Sequence, residues 1–215
     1  MKIAIIGGTG PEGSGLGFRW AAAGHEVIIG SRKAEKGEKV AAELLERQPN
    51  FLITGTDNVT AVGNCDVAVL AVPYSAQRPT LDTLQNELQG KLLITVVAPT
   101  GEKKARVYRL ESGKSSAEEA QEQLGEGVRV VAAFQNIGAH HLLDLNYDLD
   151  CDVLVCGQKA VDKDIAIQLA EDAGLRGVNA GALQNASVVE GLTSLLIFVN
   201  IKNKVKDAGI RITGI

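Results

Sequence analysis

Through residue 133 or so, short apolar runs alternate with longer segments in which apolar and polar residues recur at helical spacing. Ile3–Ile6, Val27–Ile29, Val67–Val72, Leu92–Val97 and Val128–Ala133 are almost free of polar residues and rich in β-branched ones, which predicts strands buried on both faces of a parallel sheet. A weaker run, Phe51–Thr54, reads as an edge strand. Between them Gly15–Gly24, Ala34–Gln48, Asp57–Gly63 and Ala76–Gln89 have helical character. Strand–helix alternation of this kind means right-handed βαβ units, and hence a doubly wound α/β fold of Rossmann type. Residues 98–116 are polar and lack periodicity, which marks a surface excursion. Ser115 or Ser116 then caps a helix whose first turn carries Glu118 and Glu119, where the helix dipole favours negative charge.

After residue 133 the texture changes, and the chain divides into a dinucleotide-binding domain over 1–133 and a small C-terminal α/β extension over 134–215. A polar turn at 144–152 leads into a strand at Val153–Cys156, a helix at Val161–Ala173 and a short strand near Leu175–Val178. The longest helix follows, over Leu183–Lys206, with a terminal strand at Ile210–Thr213. That helix is apolar around most of its girth (Val188, Val189, Leu192, Leu195, Leu196, Phe198, Val199), so burial on more than one side is expected, and with it a homodimer.

Composition narrows the class. A chain of 215 residues with 45% hydrophobic residues buries a sizeable core without staples, and a net charge of −4 gives no footprint for nucleic acid. Three cysteines, Cys65, Cys151 and Cys156, with no C-x-x-C spacing, fit a reducing compartment. The opening apolar run is too short for a signal segment, and Leu192–Ile201 is too short for a membrane span, so a cytoplasmic protein is expected.

The strongest local signal is Gly8-Thr9-Gly10-Pro11-Glu12-Gly13, a G-x-G-x-x-G between the first predicted strand and its helix. Gly8 permits the tight turn, Gly10 lets the backbone approach a pyrophosphate, and Gly13 allows close helix–strand packing. The end of the second strand then chooses the cofactor. An NAD site places Asp or Glu there for the ribose 2′-hydroxyl, whereas this chain reads Gly30-Ser31-Arg32-Lys33 with Lys36 one turn on. A carboxylate would repel a 2′-phosphate; a hydroxyl and a guanidinium fork bind it, each charge-assisted bond contributing about 1.5–3 kcal/mol. NADP(H) is the expected cofactor. The loops after Val72-Pro73-Tyr74 and Val97-Ala98-Pro99 follow strand ends, where they should flank the nicotinamide.

No catalytic acid or base can be named. Tyr-x-x-x-Lys is absent, since Tyr74, Tyr108 and Tyr147 are followed at that spacing by Arg78, Ser112 and Cys151. A substrate accepting hydride into a delocalised ring needs less acid–base help, so a flavin-like acceptor suits the chain. His140–His141 has no third ligand nearby in sequence and reads as a surface or interface pair, not a metal site. Asp148-Leu149-Asp150-Cys151-Asp152 lacks the glycine and terminal glutamate of a calcium loop.

Taken together, Ile6-Gly7-Gly8-Thr9-Gly10, Gly24-His25-Glu26, Gly30-Ser31-Arg32, Ala71-Val72-Pro73, Ser115-Ser116-Ala117-Glu118, Cys151–Gly157 and Val189-Glu190-Gly191-Leu192-Thr193 resemble the NADPH-dependent reductases of the deazaflavin coenzyme F420. The resemblance runs nearly the length of the chain. It implies reversible hydride transfer between nicotinamide C4 and deazaflavin C5. It implies that Thr9, Gly10, Pro11 and Glu12 hold NADP, with the 2′-phosphate on Ser31, Arg32 and Lys36. Tyr74, Arg78, Ala98 and Ala139 would border the dinucleotide, and the deazaflavin would lie over Phe134–Ala139, against Gln135, Asn136 and Ile137. Relatives often carry His-Thr-Ile-Pro where this chain has Gln135-Asn136-Ile137-Gly138, and glutamine does not titrate near neutral pH. Two alternatives stand beside this reading: an NADPH-dependent reductase of another acceptor (a flavin, a ferric chelate or an imine), and a non-catalytic NADP(H) sensor.

Overall fold

A computed structural model describes all 215 residues. Eight strands form one sheet: β1 Lys2–Ile6, β2 Glu26–Ser31, β3 Ile53–Asp57, β4 Val67–Leu70, β5 Leu92–Thr95, β6 Arg129–Ala132, β7 Asp152–Gly157 and β8 Arg176–Asn179, in the order β3-β2-β1-β4-β5-β6-β7-β8. Every neighbouring pair is parallel except β6–β7. Seven helices complete the fold: α1 Pro11–Ala22, α2 Ala34–Arg47, α3 Asn58–Gly63, α4 Tyr74–Leu84, α5 Ser116–Leu124, α6 Ala160–Asp172 and α7 Ala186–Asn203.

The apolar runs predict this arrangement because successive strand side chains point to opposite faces. Ile3 and Ile5 join a core with Leu16, Trp20, Val69, Val153 and Leu169, under α1 and α6. Ala4 and Ile6 face the other way, into a core with Leu70, Leu84, Ala117, Leu154 and Val189, under α4, α5 and α7. The fold is therefore a three-layer sandwich. Strand order reverses between β1 and β4, which leaves a crevice beyond their carboxyl ends.

The expected edge strand is present, shifted towards the carboxyl side to Ile53–Asp57. The polar excursion after β5 closes on itself through an isolated antiparallel bridge, Thr100 to Val107. Asp57 caps α3 by accepting from the Thr60 N–H at 3.0 Å, and Ser115 caps α5 in a reciprocal box with Glu118. The long last helix begins at Ala186, after a 3₁₀ turn at Leu183–Asn185.

One expected element does not form. Ile210–Thr213 is irregular, because side chains and not a strand ladder hold the tail. The buried Asp152 carboxylate accepts from the Ile212 N–H at 2.6 Å, and Arg176, paired with Asp152, donates to the Ile212 carbonyl at 2.6 Å. The only backbone bond from this stretch to β7 is Asp152 N–H to the Ile210 carbonyl at 2.7 Å.

Candidate functional site

Glycines shape the crevice, and Gly7, Gly8 and Gly13 have no room for a side chain. Gly7 takes φ +72°, and a Cβ there would lie 2.5 Å from Val72 Cγ1, so the turn after β1 and the loop after β4 are in contact. A Cβ on Gly8 would meet the Ile5 carbonyl at 2.9 Å, and one on Gly13 would meet Gly8 Cα at 2.9 Å. Gly10 has nothing within 4 Å of its missing Cβ. Close packing at Gly8 and Gly13 with open space at Gly10 is what a pyrophosphate lying on the turn requires. Pro11 occupies the first position of α1, and the N–H groups of the first turn have no intrahelical acceptors. The residues present therefore fit a dinucleotide. Desolvation pushes the Glu12 carboxyl up to about 8, which weakens the charge it sets against a phosphate near neutral pH.

At the end of β2, Ser31 is buried, while Arg32 and, on the first turn of α2, Lys36 are exposed and pair with no carboxylate. One acid escaped the sequence reading: Asp57 stands opposite Ser31 in the β2–β3 register. Its carboxylate accepts from Thr60 Oγ1 at 2.7 Å as well as the Thr60 N–H, and these bonds hold it well below the usual carboxylate range. It caps α3, and its carboxylate shares the corner with the cations Arg32 and Lys36.

Tyr74 and Arg78 lie one turn apart at the start of α4, on a polar groove shared with α5. The Tyr74 hydroxyl donates to Glu119 at 2.7 Å, and burial, reinforced by that carboxylate, pushes its pKa up to about 12. Its side chain is thus directed towards α5. Ala98 follows β5, and Ala139 opens a 3₁₀ turn over Ala139–His141; both are half-buried.

After β6 the chain bends sharply. Phe134 takes φ +74°, a region costly for a residue with a bulky side chain. Its ring, fully buried, meets Trp20 of α1 edge-on at 5.7 Å, and this contact holds the bend. Gln135 Nε2 donates to the Thr95 carbonyl at 2.8 Å, and its own carbonyl accepts from Thr193 Oγ1 of α7 at 2.7 Å. Asn136 is engaged internally, with Nδ2 donating to the Asp152 carbonyl at 2.7 Å. Gln135 Oε1 is buried with no partner. Of the two amide oxygens, that one alone lacks a partner; Ile137 is also buried.

Sequence reasoning missed two residues that frame this segment. Arg19 of α1 is 6% exposed and donates only to carbonyls: Leu142 at 2.9 Å, Ala173 at 3.1 Å, His141 at 3.3 Å, Asp144 at 2.7 Å and Tyr147 at 3.2 Å. Alongside it, a Cβ on Gly15 would sit 2.5 Å from Leu142 Cβ, so α1 and the 3₁₀ segment pack backbone to side chain. The signal available in sequence was a lone arginine on a helix otherwise lined with glycine, alanine and large apolar residues.

The second is Glu190, on α7. Its carboxylate accepts from the Ser116 N–H at 2.9 Å, the Ala117 N–H at 3.1 Å and Ser116 Oγ at 2.8 Å, at the start of α5. Burial pushes its pKa up to about 7 against those donors. It borders a cavity of about 580 Å³ between residues 99–114 and α7, which Pro99, Tyr108, Arg109 and Leu192 also line. His141, by contrast, stacks on Tyr147 at 3.7 Å, with Asp207 at 3.7 Å from Nε2, as part of the packing beneath the tail.

A doubly wound sheet with a phosphate turn at its switch point, and Arg32 and Lys36 unpaired beside it, defines a protein of the dinucleotide-binding class. Sequence profiles refine the class: the family described as NADP oxidoreductase, coenzyme F420-dependent, matches residues 2–99. The F420-dependent NADP reductase of Methanothermobacter thermautotrophicus is 42% identical to this chain, covering 100% of it and 96% of the relative. The F420-dependent NADP reductase of Methanocaldococcus jannaschii is 41% identical over 100% of this chain and 99% of its own. A crystal structure from Arthrobacter sp. FB24 has a TM-score of 0.80 over 100% of both chains at 21% identity, a likeness of fold alone. The chain belongs to the F420-dependent NADP reductases.

Proposed function

We infer that the protein catalyses reversible hydride transfer between NADP(H) and coenzyme F420, carrying hydride from nicotinamide C4 to deazaflavin C5 in the forward direction with uptake of one proton. The observation that carries this reading is whole-length identity of 41–42% to F420-dependent NADP reductases, joined to a β2 end that offers Ser31, Arg32 and Lys36 without an acid. Gly8, Thr9, Gly10, Pro11, Glu12 and Gly13 hold the pyrophosphate on the α1 N-terminus. Ser31, Arg32 and Lys36 hold the 2′-phosphate. Ala98, Ala139, Arg78 and the backbone at Tyr74 border the dinucleotide. Gln135, through its free Oε1, and the chain at Asn136 and Ile137 face the deazaflavin.

The chain's contribution to rate is orientation of two planar rings, for which effective molarity supplies most of the acceleration. Residues 134–215 act as the acceptor-completing unit. We also infer a homodimer built on the carboxyl half of α7, where Leu195, Phe198 and Ile201 stand exposed. Three buried free thiols suit a reducing, cytoplasmic setting. No helix is long and apolar enough to cross a membrane.

Purified protein given NADPH and oxidised coenzyme F420 is expected to bleach the deazaflavin absorbance in stoichiometric step with NADPH oxidation. Absence of turnover by protein that binds NADPH would reject the assignment.

A further inference from the structure

We propose that the cavity between residues 99–114 and α7 is an anion subsite, which takes a phosphate- or carboxylate-bearing chain attached to the acceptor ring. The proposal rests on the placement of the deazaflavin given above and adds to it a second binding region.

The first ground is charge. Residues 102–114 hold Lys103, Lys104, Arg106, Arg109 and Lys114 against two acids, Glu102 and Glu111, in a chain whose net charge is −4. All five cations are exposed, and only Lys114 is paired, with Glu122. Lys103, Lys104, Arg106 and Arg109 enter no ion pair, although 26 acidic residues were available to neutralise them. A loop that keeps its cations unpaired in an acidic protein produces a local positive potential, which attracts and retains anions.

The second ground is position. Pro99, on the cavity wall, directly follows Ala98 at the end of β5. Leu192, on the opposite wall, directly precedes Thr193, whose hydroxyl bonds the Gln135 carbonyl. The cavity therefore adjoins the segment assigned to the acceptor ring, beyond the carboxyl ends of the parallel strands. Arg109 and Lys114 lie on its lining. The facing stretch of α7, from Ser187 to Leu195, contributes no cation and one acid, Glu190. That acid already accepts from three donors at the start of α5. With about 580 Å³ available, the space admits a chain as well as part of a ring.

The test compares three acceptors: intact coenzyme F420, the coenzyme shorn of its carboxylates but keeping the phosphate, and the deazaflavin with its uncharged sugar-alcohol alone. Wild-type protein is expected to favour the intact coenzyme over the uncharged form at least tenfold in kcat/KM, with the preference falling as salt rises. The double variant Arg109→Glu, Lys114→Glu, which reverses both cations on the cavity lining, is expected to lose that preference, through KM and not kcat. A preference retained by the phosphate-only form assigns the phosphate as the recognised group; one lost with the carboxylates assigns them. A wild type without preference, or a double variant that keeps it, overturns the proposal. Failure of wild type to reduce any of the three would instead overturn the deazaflavin reading, and the subsite with it.

Discussion

Arg32 is the residue on which the proposed cofactor choice turns. Its guanidinium is exposed, unpaired and set beside a buried serine, so it would meet a 2′-phosphate without first breaking a bond to the protein. Arg32→Ala is expected to weaken NADPH binding at least tenfold, worth about 1.4 kcal/mol or more, with little change for NADH. Equal losses for both dinucleotides in a titration would count against the 2′-phosphate role. Glu190 gives a residue-scale prediction of a different kind. Its folded-state pKa of about 7 lies above the ordinary value of 4.5, so its contribution to stability is fully present below pH 4.5 and lost as pH rises towards 7. At about 1.4 kcal/mol per pH unit, that loss is on the order of 3 kcal/mol. Glu190→Gln should flatten the slope of unfolding free energy between those pH values, as denaturant titrations at matched pH would show.

At the scale of elements, α1 does two tasks. Its N-terminus is the proposed seat of the phosphates, while Gly15, Arg19 and Trp20, further along, hold the chain from Phe134 to Tyr147. Replacing Gly15 by alanine drives a methyl group into Leu142 and should shift the 3₁₀ turn. The expected outcome in steady-state kinetics is a raised KM for the deazaflavin with NADPH affinity within twofold of wild type; the reverse pattern would sink the idea. Arg19→Met should cost about 3 kcal/mol or more, because buried carbonyls lose a charged donor, and would be read as a fall in the denaturation midpoint at constant m.

These elements also show where sequence was informative. The G-x-G-x-x-G turn was readable because glycine there answers to a local constraint, a missing Cβ, whereas Asp57, opposite Ser31, reaches the end of β2 only through strand pairing. The strands were readable because burial on both faces removes polar alternation. The positive φ of Phe134 was not, since its cause is a ring seated on Trp20, far away in sequence. Nor was the fate of Asn136, whose amide bonds the β7 backbone; nothing in an asparagine announces which carbonyl it will find. The tail failed as a strand for the same reason, its partners being the Asp152 and Arg176 side chains.

At the scale of the whole molecule, the segment proposed to face the acceptor follows the strand at which the sheet changes sense. Because β7 runs against β6, and only their carboxyl ends pair (Val131 with Gly157, Ala132 with Cys156), the amino end of β7 projects past β6 as a wall beside residues 133–136. On the far side, α7 packs its amino half on α5 and leaves Leu195, Phe198 and Ile201 exposed beyond. Introducing charge there, as in Leu195→Glu with Phe198→Glu, is expected to convert a dimer into a monomer in sedimentation velocity; a wild type that already sediments as a monomer would remove that part of the reading.

The five carbonyls gathered around Arg19 have a consequence for anyone who would transplant this acceptor region. They belong to residues 141, 142, 144, 147 and 173, all beyond the nominal boundary at 133, whereas the guanidinium that serves them belongs to the nucleotide half. A chimera cut at that boundary would bring in a foreign set of oxygens for an arginine matched to these, and would leave a cation stranded in the interior. The workable seam is not a point on the chain: grafts that succeed will carry the middle of α1 along with everything downstream.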